Sequence, residues 1–470
     1  MSGKDLWYQD LRGSMSRFEA IRPEDVDAVS EGMLDYDWVA ELLAEYGLSI
    51  DKVVFDTGRP IVNTFYADYE QGLYCEIYLQ LRNFEEGQRP LFQELARKRK
   101  EGNQHLRARD WSGFYTVDVP LPMQAYDFQR RMYDMEPDKV FGIWLNIYKR
   151  LDYSNGVWRP ETIEYIFSHA PATEKPVPDD NGLITIYRGM GELSQAPEEA
   201  ISWSTDPGNA LWFANHSGRG SHMVAAEVYA EDIVAYYPGF YYENEVLVRP
   251  HTVKHIRSAD MLPANEETFI RLTAPMLQEF QTLGRQALRF GYPEGDQNIF
   301  SVHGVHHILR VLFLSLLYFY NSGDPLTPAD KLVLIYFSIL HDVARTHENE
   351  DETHGDAAVE DIHRKGLRIK GVQLCKKGYR IAELMIRYHC RDDADGIAAI
   401  QAMEGLSRRE KERAALLYRV CKDMDGLDRV RFNGLDYRML RTPFAARLPL
   451  IAGCLLKEDI LEFVRQQSRT

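Results

Sequence analysis

Histidine and aspartate residues concentrate between residues 301 and 428. Eight of the fourteen histidines lie between His303 and His389. His303 and His307 are four residues apart, so on a helix they share one face. Imidazole nitrogens and carboxylate oxygens bind divalent metal ions, and they also act as acids and bases in phosphate ester chemistry. This region therefore predicts a site for phosphoester cleavage.

Further candidate ligands lie on separate predicted helices. The neighbours His341 and Asp342 end an apolar helix, and side chains at adjacent helical positions diverge by about 100°. The pair can therefore serve two metals, or one metal and a supporting hydrogen bond. His354 begins another helix, His389 follows the apolar positions of a third, and Asp425 lies on a fourth. We expect these side chains to meet in one pocket.

A second set of residues, upstream, has the chemistry of a dinucleotide site. Arg188 closes a predicted strand, and its planar guanidinium can bind two oxygens of a pyrophosphate. Glu245 opens a later strand, where a carboxylate would stabilise the oxocarbenium-like centre that forms when NAD loses nicotinamide. Glu243 lies two residues earlier, on the same strand face if the strand extends that far, and would accept a proton from the acceptor. We therefore predict NAD as a co-substrate.

Two aromatic residues are candidates to border the nicotinamide ring. Trp203 lies in the sequence SWST, and Phe213 lies on the helix that follows. Core packing is the more frequent role for such residues, and it is the alternative for both.

The order of these residues resembles the arginine, STS, E-x-E class of ADP-ribosyltransferases. The resemblance implies that Arg188 anchors the NAD phosphates, that Ser204 holds the site geometry and that Glu245 is the catalytic glutamate. It also implies that Glu243 is the acceptor-side glutamate, which in that class accompanies transfer to arginine. The second serine of the family motif is Asp206 here, and aspartate caps a following helix equally well.

The downstream histidines and aspartates resemble the HD superfamily of phosphohydrolases, over about residues 295–440. That family gathers a histidine, a His-Asp pair and a later aspartate around a metal, and some members use two more histidines for a second metal. The matching residues are His307, His341, Asp342 and Asp425 for the core ligands, and His354 and His389 for the further pair. The resemblance implies one or two divalent metals.

The sequences HGVHHILRV and HDVAR, followed by an acidic stretch, more specifically resemble the phosphodiesterase domain of SidE-type bacterial effectors. In that group, histidines and a glutamate carry out phosphoryl transfer. The resemblance implies catalytic roles for His303 and His389, and Glu348, Glu350 and Glu352 are alternatives for the glutamate. A metal-free and a metal-dependent mechanism both stay open.

We expect an α+β, multidomain fold, because helical patterns give way to alternating ones after a Pro-rich stretch and return beyond about residue 265. The predicted parts are a helical N-terminal region of unknown role (1–110), a mixed, β-rich ADP-ribosyltransferase-like domain (111–260, with a helical lobe and a β core at 183–257), and an all-α HD-like domain (261–470).

Local patterns predict several element boundaries. The predicted strands are 183–187, 222–229 and 245–248. The predicted helix limits are starts at Asp206–Pro207, Thr327–Pro328 and Ser407–Glu410, and a C-cap at Gly47 for a helix that begins at Glu24. Ala357 and Ala358 predict a close approach between helices.

The composition narrows the function classes. A net charge of −16 argues against a generic nucleic-acid binder. The N-terminus has no apolar signal core, and the longest apolar runs are about half of what a membrane span requires. The five cysteines are an odd number without a CxxC pair, which predicts reduced thiols. We expect a cytoplasmic protein, or one secreted into a host cell without a cleaved signal peptide.

These observations predict a bifunctional enzyme. One module would transfer ADP-ribose from NAD to a protein or nucleic acid acceptor, and the other would cleave a phosphoester or pyrophosphate bond, including that of the ADP-ribosylated product. The first alternative is an independent, metal-dependent HD nucleotide phosphohydrolase beside a separate or degenerate ADP-ribosyltransferase module. The second is a non-enzymatic protein that only binds a nucleotide or a partner.

Overall fold

The computed structural model describes most of the chain. The described ranges are 18–56, 64–151, 157–192, 194–217, 221–239, 243–292, 303–345, 351–432, 435–457 and 459–465.

The N-terminal part contains a four-stranded antiparallel sheet packed against helices. The strands, in their hydrogen-bonded order, are β1 (Phe18–Ala20), β2 (Val53–Asp56), β3 (Thr64–Asp68) and β4 (Leu73–Ile77). The helices are α1 (Pro23–Val29), α2 (Tyr36–Glu45), α3 (Phe84–Glu101), α4 (Gln104–Arg107) and α5 (Trp111–Gly113). The prediction of a helical N-terminal region is therefore wrong. All five residues of β3 are buried, so its sequence lacks the alternation that marks a half-exposed strand.

The helix predicted to run from Glu24 to Gly47 is in fact two helices, α1 and α2. The Asp35 carboxylate accepts hydrogen bonds from two backbone amides and caps the second helix. Gly47 lies just beyond the end of α2 with φ of +70°, a backbone conformation that favours glycine. The predicted end of the helix is therefore confirmed, and its predicted continuity is not.

The middle of the chain combines a helical lobe with a six-stranded antiparallel sheet. The lobe helices are α6 (Leu121–Arg131), α7 (Pro137–Tyr148) and α8 (Pro160–Ser168). The strands are β5 (Leu183–Met190), β6 (Ser202–Ser204), β7 (His222–Tyr229), β8 (Ile233–Tyr237), β9 (Glu245–Val248) and β10 (Lys254–Ser258), arranged β10-β7-β5-β6-β9-β8. The three predicted strands are confirmed. Helix α9 (Pro207–His216) also begins as predicted, with the Asp206 side chain accepting from the Gly208 amide.

The C-terminal part is helical, and within the described residues no strand follows β10. Its helices are α10 (Glu266–Thr273), α11 (Leu277–Ala287), α12 (Val305–Asn321), α13 (Pro328–Leu340), α14 (His354–Lys365), α15 (Lys376–Tyr388), α16 (Asp393–Ala402), α17 (Arg408–Leu427), α18 (Pro449–Leu455) and α19 (Ile460–Arg465). Capping boxes begin α13 at Thr327 and α17 at Ser407, which confirms both predicted starts. Helix α12 is central, because all its residues from Val305 to Tyr318 are buried.

One hydrophobic core crosses the predicted boundary near residue 260. Tyr187 on β5, Leu211 on α9 and Met223 on β7 belong to the same buried cluster as the C-terminal helices. Arg438 Nη1 also donates a hydrogen bond to the Tyr187 hydroxyl over 3.1 Å. The β core and the C-terminal helices are therefore packed against each other. None of the described helices combines the length and apolar character that crossing a membrane requires.

Candidate active sites

Five helices of the C-terminal part bring the predicted metal ligands together. His307 lies in the first turn of α12, His341 and Asp342 directly follow α13, and His354 is the first residue of α14. The remaining ligands are His389, which directly follows α15, and Asp425, which lies near the end of α17. Four of the six side chains therefore sit at helix ends, where the helices converge around α12.

The first half of this cluster surrounds His307. Its Nε2 lies 3.2 Å from His341 Nε2 and 3.2 Å from Asp425 Oδ1. Asp342 Oδ2 lies 3.7 Å from the same nitrogen. Two ligands at about 2.1 Å from a tetrahedral cation are about 3.4 Å apart, so His307, His341 and Asp425 have the spacing of metal ligands.

The second half of the cluster is on the other side of the Asp342 carboxylate. His354 Nε2 and His389 Nε2 are 2.8 Å apart, and Asp342 Oδ1 lies 3.2 Å from the first and 3.6 Å from the second. This oxygen is buried and makes no hydrogen bond of normal geometry. A buried carboxylate oxygen that faces two imidazole nitrogens fits a second cation, with Asp342 shared between the two positions.

His303 is the most exposed histidine of the group. Its Nδ1 donates to Asp342 Oδ2 over 2.9 Å, and its side chain is 19% exposed. Burial lowers the pKa of His303, and the opposing effect of Asp342 is smaller. The ring is therefore neutral near pH 7 and oriented by Asp342.

Asp428 was not predicted, and it fixes the orientation of His307. His307 Nδ1 donates to Asp428 Oδ2 over 2.7 Å, so its other nitrogen presents a lone pair to the site. Arg310 and Arg431 both hydrogen-bond to the same carboxylate and compensate its buried charge. The only sequence signal is the spacing of Asp428, three residues after Asp425.

Cys390 is a second residue that sequence reasoning missed. Its sulfur, with ligand atoms of His354 and His389, forms a group of donors within 4.8 Å of one another. The glutamate implied by the SidE resemblance stays a prediction. Glu348 and Glu350 lie outside the described residues, and Glu352 is exposed, with its backbone carbonyl accepting hydrogen bonds from Cys390 and Arg391.

The two halves of the cluster differ in protonation. Burial lowers the pKa of His341 to about 4, although Asp342 opposes this effect. Burial also lowers the pKa of His354, but the hydrogen bonds and charges of Asp342 and Cys390 outweigh it and raise the pKa to about 10. At neutral pH, His341 is therefore ready to bind a cation, whereas His354 must first lose a proton.

The predicted NAD residues lie on the neighbouring strands β5, β6 and β9, or directly before β9. Arg188 Nη1 donates to the Ser202 carbonyl over 2.5 Å, and Ser202 Oγ donates to Glu245 Oε1 over 2.8 Å. Ser204 Oγ donates to the Glu243 carbonyl over 2.7 Å and accepts from the Asp206 amide over 3.0 Å. The placement of Ser204 agrees with its predicted role in holding the geometry, whereas the role of Ser202 in positioning Glu245 was missed.

Glu243 does not lie on the strand, contrary to the prediction. Glu243 and Asn244 have φ of +59° and +48°, and β9 begins only at Glu245. The alternation argument for a shared strand face therefore fails. The two carboxylates nevertheless share one electrostatic influence, because the charge of Lys149 opposes the rise in pKa that burial causes at both.

Burial is the largest influence on the charged groups of this site. It raises the pKa of Glu243 and of Glu245, and Ser202 and Lys149 oppose it at Glu245. The Arg188 side chain is partly buried, and its buried Nε has no hydrogen-bond partner. A guanidinium with a buried, unused donor is suited to an anionic ligand.

The two aromatic candidates differ in their exposure to solvent. Trp203 is 3% exposed, packs in the sheet core with Ile186 and Val246, and donates its indole N–H to the Ala200 carbonyl. Its burial favours the alternative of core packing, and a role beside the nicotinamide stays a prediction. Phe213 is 40% exposed on α9, and its assignment stays a prediction.

Comparisons with protein-family models, with curated proteins and with solved structures gave no match, so both resemblances rest on these residues and their geometry.

Proposed function

We propose that the protein is a bifunctional enzyme that transfers ADP-ribose from NAD and cleaves a phosphoester or pyrophosphate bond. The observation that carries the proposal is the convergence of separate helices on Asp342, whose carboxylate contacts His303, His354 and His389. Scattered structural histidines would have no reason to share one buried carboxylate.

In the NAD site, we assign each residue a role from its charge. Arg188 supplies a partly buried positive group for the pyrophosphate. Glu245, held by Ser202, supplies the carboxylate that stabilises the oxocarbenium-like centre as nicotinamide leaves. Glu243, in the turn before β9, takes the proton of the attacking acceptor.

In the histidine cluster, His307, His341 and Asp425 would hold one divalent metal, and His354, His389 and Asp342 a second. Such a metal supplies a Lewis acid for the phosphoryl oxygens and activates water. His303 contributes independently of it: Asp342 orients the ring through Nδ1, and its other nitrogen can exchange a proton with a bound phosphoester.

The proposal is tested by reaction with NAD and candidate acceptor proteins, with nicotinamide, AMP and acceptor mass as readouts. Wild type should release both nicotinamide and AMP and leave a phosphoribosyl-sized mass on the acceptor. Asp342→Ala should leave the full ADP-ribose mass, and Glu245→Gln should leave none. Nicotinamide release without AMP from wild type would show that the two reactions do not act in series.

Two exposed residues provide matched controls for these variants. Glu231→Gln changes a glutamate in the turn before β8, and His363→Ala changes a histidine on α14 that is 62% exposed. Both should behave as wild type.

One observation favours the alternative of an independent, metal-dependent nucleotide phosphohydrolase. The cluster has two complete halves, and Asp342 Oδ1 lies 3.2 and 3.6 Å from the Nε2 atoms of His354 and His389, the spacing expected of ligands around one cation. In that case, nucleotides should release phosphate without NAD. This activity should survive Glu245→Gln and disappear in Asp342→Ala and with chelator. Calorimetry that shows binding of NAD and metal without turnover would instead indicate a non-enzymatic role.

A further inference from the structure

Cys390 lies beside the second half of the histidine cluster. It directly follows His389 at the end of α15, and its side chain is partly exposed. Its sulfur lies in one group with a nitrogen of His354 and a nitrogen of His389, and these three atoms are all within 4.8 Å of one another. The cysteine therefore adds a sulfur atom to a cluster whose other ligand atoms are nitrogen and oxygen.

Both histidines of this group have their Nε2 atoms available for a ligand bond. His389 Nδ1 donates to the Ile386 carbonyl over 2.7 Å. His354 Nδ1 contacts the Asp351 carbonyl and lies 2.7 Å from Arg345 Nη1. The two Nε2 atoms are 2.8 Å apart. At this separation they cannot both present lone pairs unless a proton or a cation lies between them.

The fold holds the sulfur between the two helix ends that supply these imidazoles. Cys390 Sγ donates to the Glu352 carbonyl over 3.2 Å, just before α14 begins at His354. A thiol is a weak donor, so giving up this hydrogen bond costs little. The spacing of the two ends is fixed by backbone contact, because a Cβ atom added to Gly355 would lie 2.3 Å from the Ile386 carbonyl oxygen.

We propose that Cys390 is a ligand of the second cation position, and that its sulfur makes this position selective for zinc. The inference rests on the metal-dependent form of the proposed phosphoester cleavage. With His354, His389 and Asp342, the sulfur completes four ligands, the number that zinc commonly takes in proteins. Thiolates favour zinc, whereas magnesium and manganese favour oxygen ligands. As the bond between sulfur and metal forms, the S–H bond breaks and its proton passes to solvent.

The first cation position lacks such a ligand in the group that defines it. That group consists of His307, His341 and Asp425, which offer two nitrogens and an oxygen. Ligands of this kind bind zinc, iron and manganese alike. The two positions should therefore differ in metal preference, and the difference should depend on one side chain.

Cobalt(II) is the probe, because it replaces zinc and absorbs in the near ultraviolet when a thiolate is bound to it. The metal-free full chain is titrated with Co²⁺, and wild type should develop this band. Cys390→Ser should bind Co²⁺ without the band. Its affinity for Zn²⁺ at this position should fall at least about 10-fold, since losing a direct ligand costs no less than losing a supporting partner. Its affinity for Mn²⁺ should stay within about 3-fold of wild type.

Cys375→Ser is the matched control, because Cys375 caps the start of the same helix, where its sulfur accepts from the Gly378 amide over 3.4 Å. Serine caps a helix equally well, so this variant should keep the band and the zinc affinity.

Two outcomes overturn the inference and leave the proposed function standing. One is two Co²⁺ ions bound per chain of wild type without the band. The other is a band that persists in Cys390→Ser when the circular dichroism of this variant matches wild type. Wild type that binds no divalent metal overturns both the inference and the metal-dependent mechanism. The band in a protein that cleaves no phosphoester supports the ligand assignment and contradicts the proposed function.

Discussion

At the scale of single residues, Asp428 decides which nitrogen of His307 faces the candidate metal. Asp428→Asn should lower metal affinity about 10- to 100-fold, the usual effect of losing such a supporting partner. It should also lower the free energy of unfolding by about 3–5 kcal/mol, because Arg310 and Arg431 would stay buried without a compensating charge. Titration calorimetry with Zn²⁺ and Mn²⁺, and urea denaturation, measure the two effects.

Glu412→Gln is the control for that substitution, since Glu412 lies on the same helix as Asp425 and forms an exposed pair with Arg408. It should change stability by less than about 0.5 kcal/mol. Metal affinity that is equal in wild type and Asp428→Asn would contradict the orienting role.

His354 should make the stability of the metal-free protein depend on pH. Its folded-state pKa, about 10, is above its ordinary value of 6.5. Its contribution is therefore fully present below about pH 6.5 and is lost as the pH rises through 10. Urea denaturation between pH 6 and 10, with chelator present, should show a loss of stability that His354→Gln lacks. Parallel pH profiles for the two proteins would contradict this prediction.

Residue chemistry explains which site residues sequence reasoning could find. Histidine and aspartate at helical spacing carry a signal of their own, and His307 and Asp342 were found that way. Ser202 and Asp428 orient site residues that are distant in the chain, Glu245 and His307. Nothing in the local sequence of Ser202 or Asp428 distinguishes them from surface or capping residues.

At the scale of elements, the distance between His354 and His389 depends on how closely α14 approaches α15. Ala357 and Ala358 were predicted to permit this approach. Ala358 is fully buried in the core, whereas Ala357 is exposed, and the closest backbone approach is at Gly355. A Cβ atom on Gly355 would lie 2.3 Å from the Ile386 carbonyl oxygen. The backbone of α15 therefore occupies the space that a side chain would need.

Gly355→Ala should push the two helices apart and separate the paired imidazoles. We expect a loss of about 1–3 kcal/mol in the free energy of unfolding, as for other overpacked sites. The number of metal ions bound should fall from two to one if both positions fill in wild type. Metal analysis after dialysis and urea denaturation are the measurements. The control, Ala357→Ser, should cost about 0.5 kcal/mol and leave metal content unchanged. Unchanged metal content in Gly355→Ala would show that the helix spacing does not control the site.

Some element boundaries are set by local sequence, and others are set by contacts with distant parts of the chain. The starts of α9, α13 and α17 were predictable, because a cap is made within four residues of sequence. The four-stranded N-terminal sheet was not, because β3 is covered on both faces and its pairing partners are set by tertiary contacts. β6, with three residues, is too short for a periodic pattern.

At the scale of the whole molecule, the two candidate sites are connected through one strand. Arg188 faces the proposed NAD site, and its neighbour Tyr187 packs in the core shared with the C-terminal helices. Gly453 on α18 also lies against Asn215 on α9, where an added Cβ atom would be 2.0 Å from the Asn215 side chain. Because the two parts share this core, separating them would expose apolar surface to water.

This shared core predicts that the β core and the C-terminal helices unfold together. All seven tryptophans lie at or before Trp212, so tryptophan fluorescence reports only on the part that lacks the histidine cluster. A divalent metal at 100 times its Kd should nevertheless raise the Tm seen by fluorescence, since binding stabilises a single folded unit by about 2.7 kcal/mol. Asp342→Ala should remove the shift, and His363→Ala should keep it. A metal-dependent transition in far-ultraviolet circular dichroism, beside a fluorescence transition that metal leaves unchanged, would show that the two parts are energetically independent despite their contact.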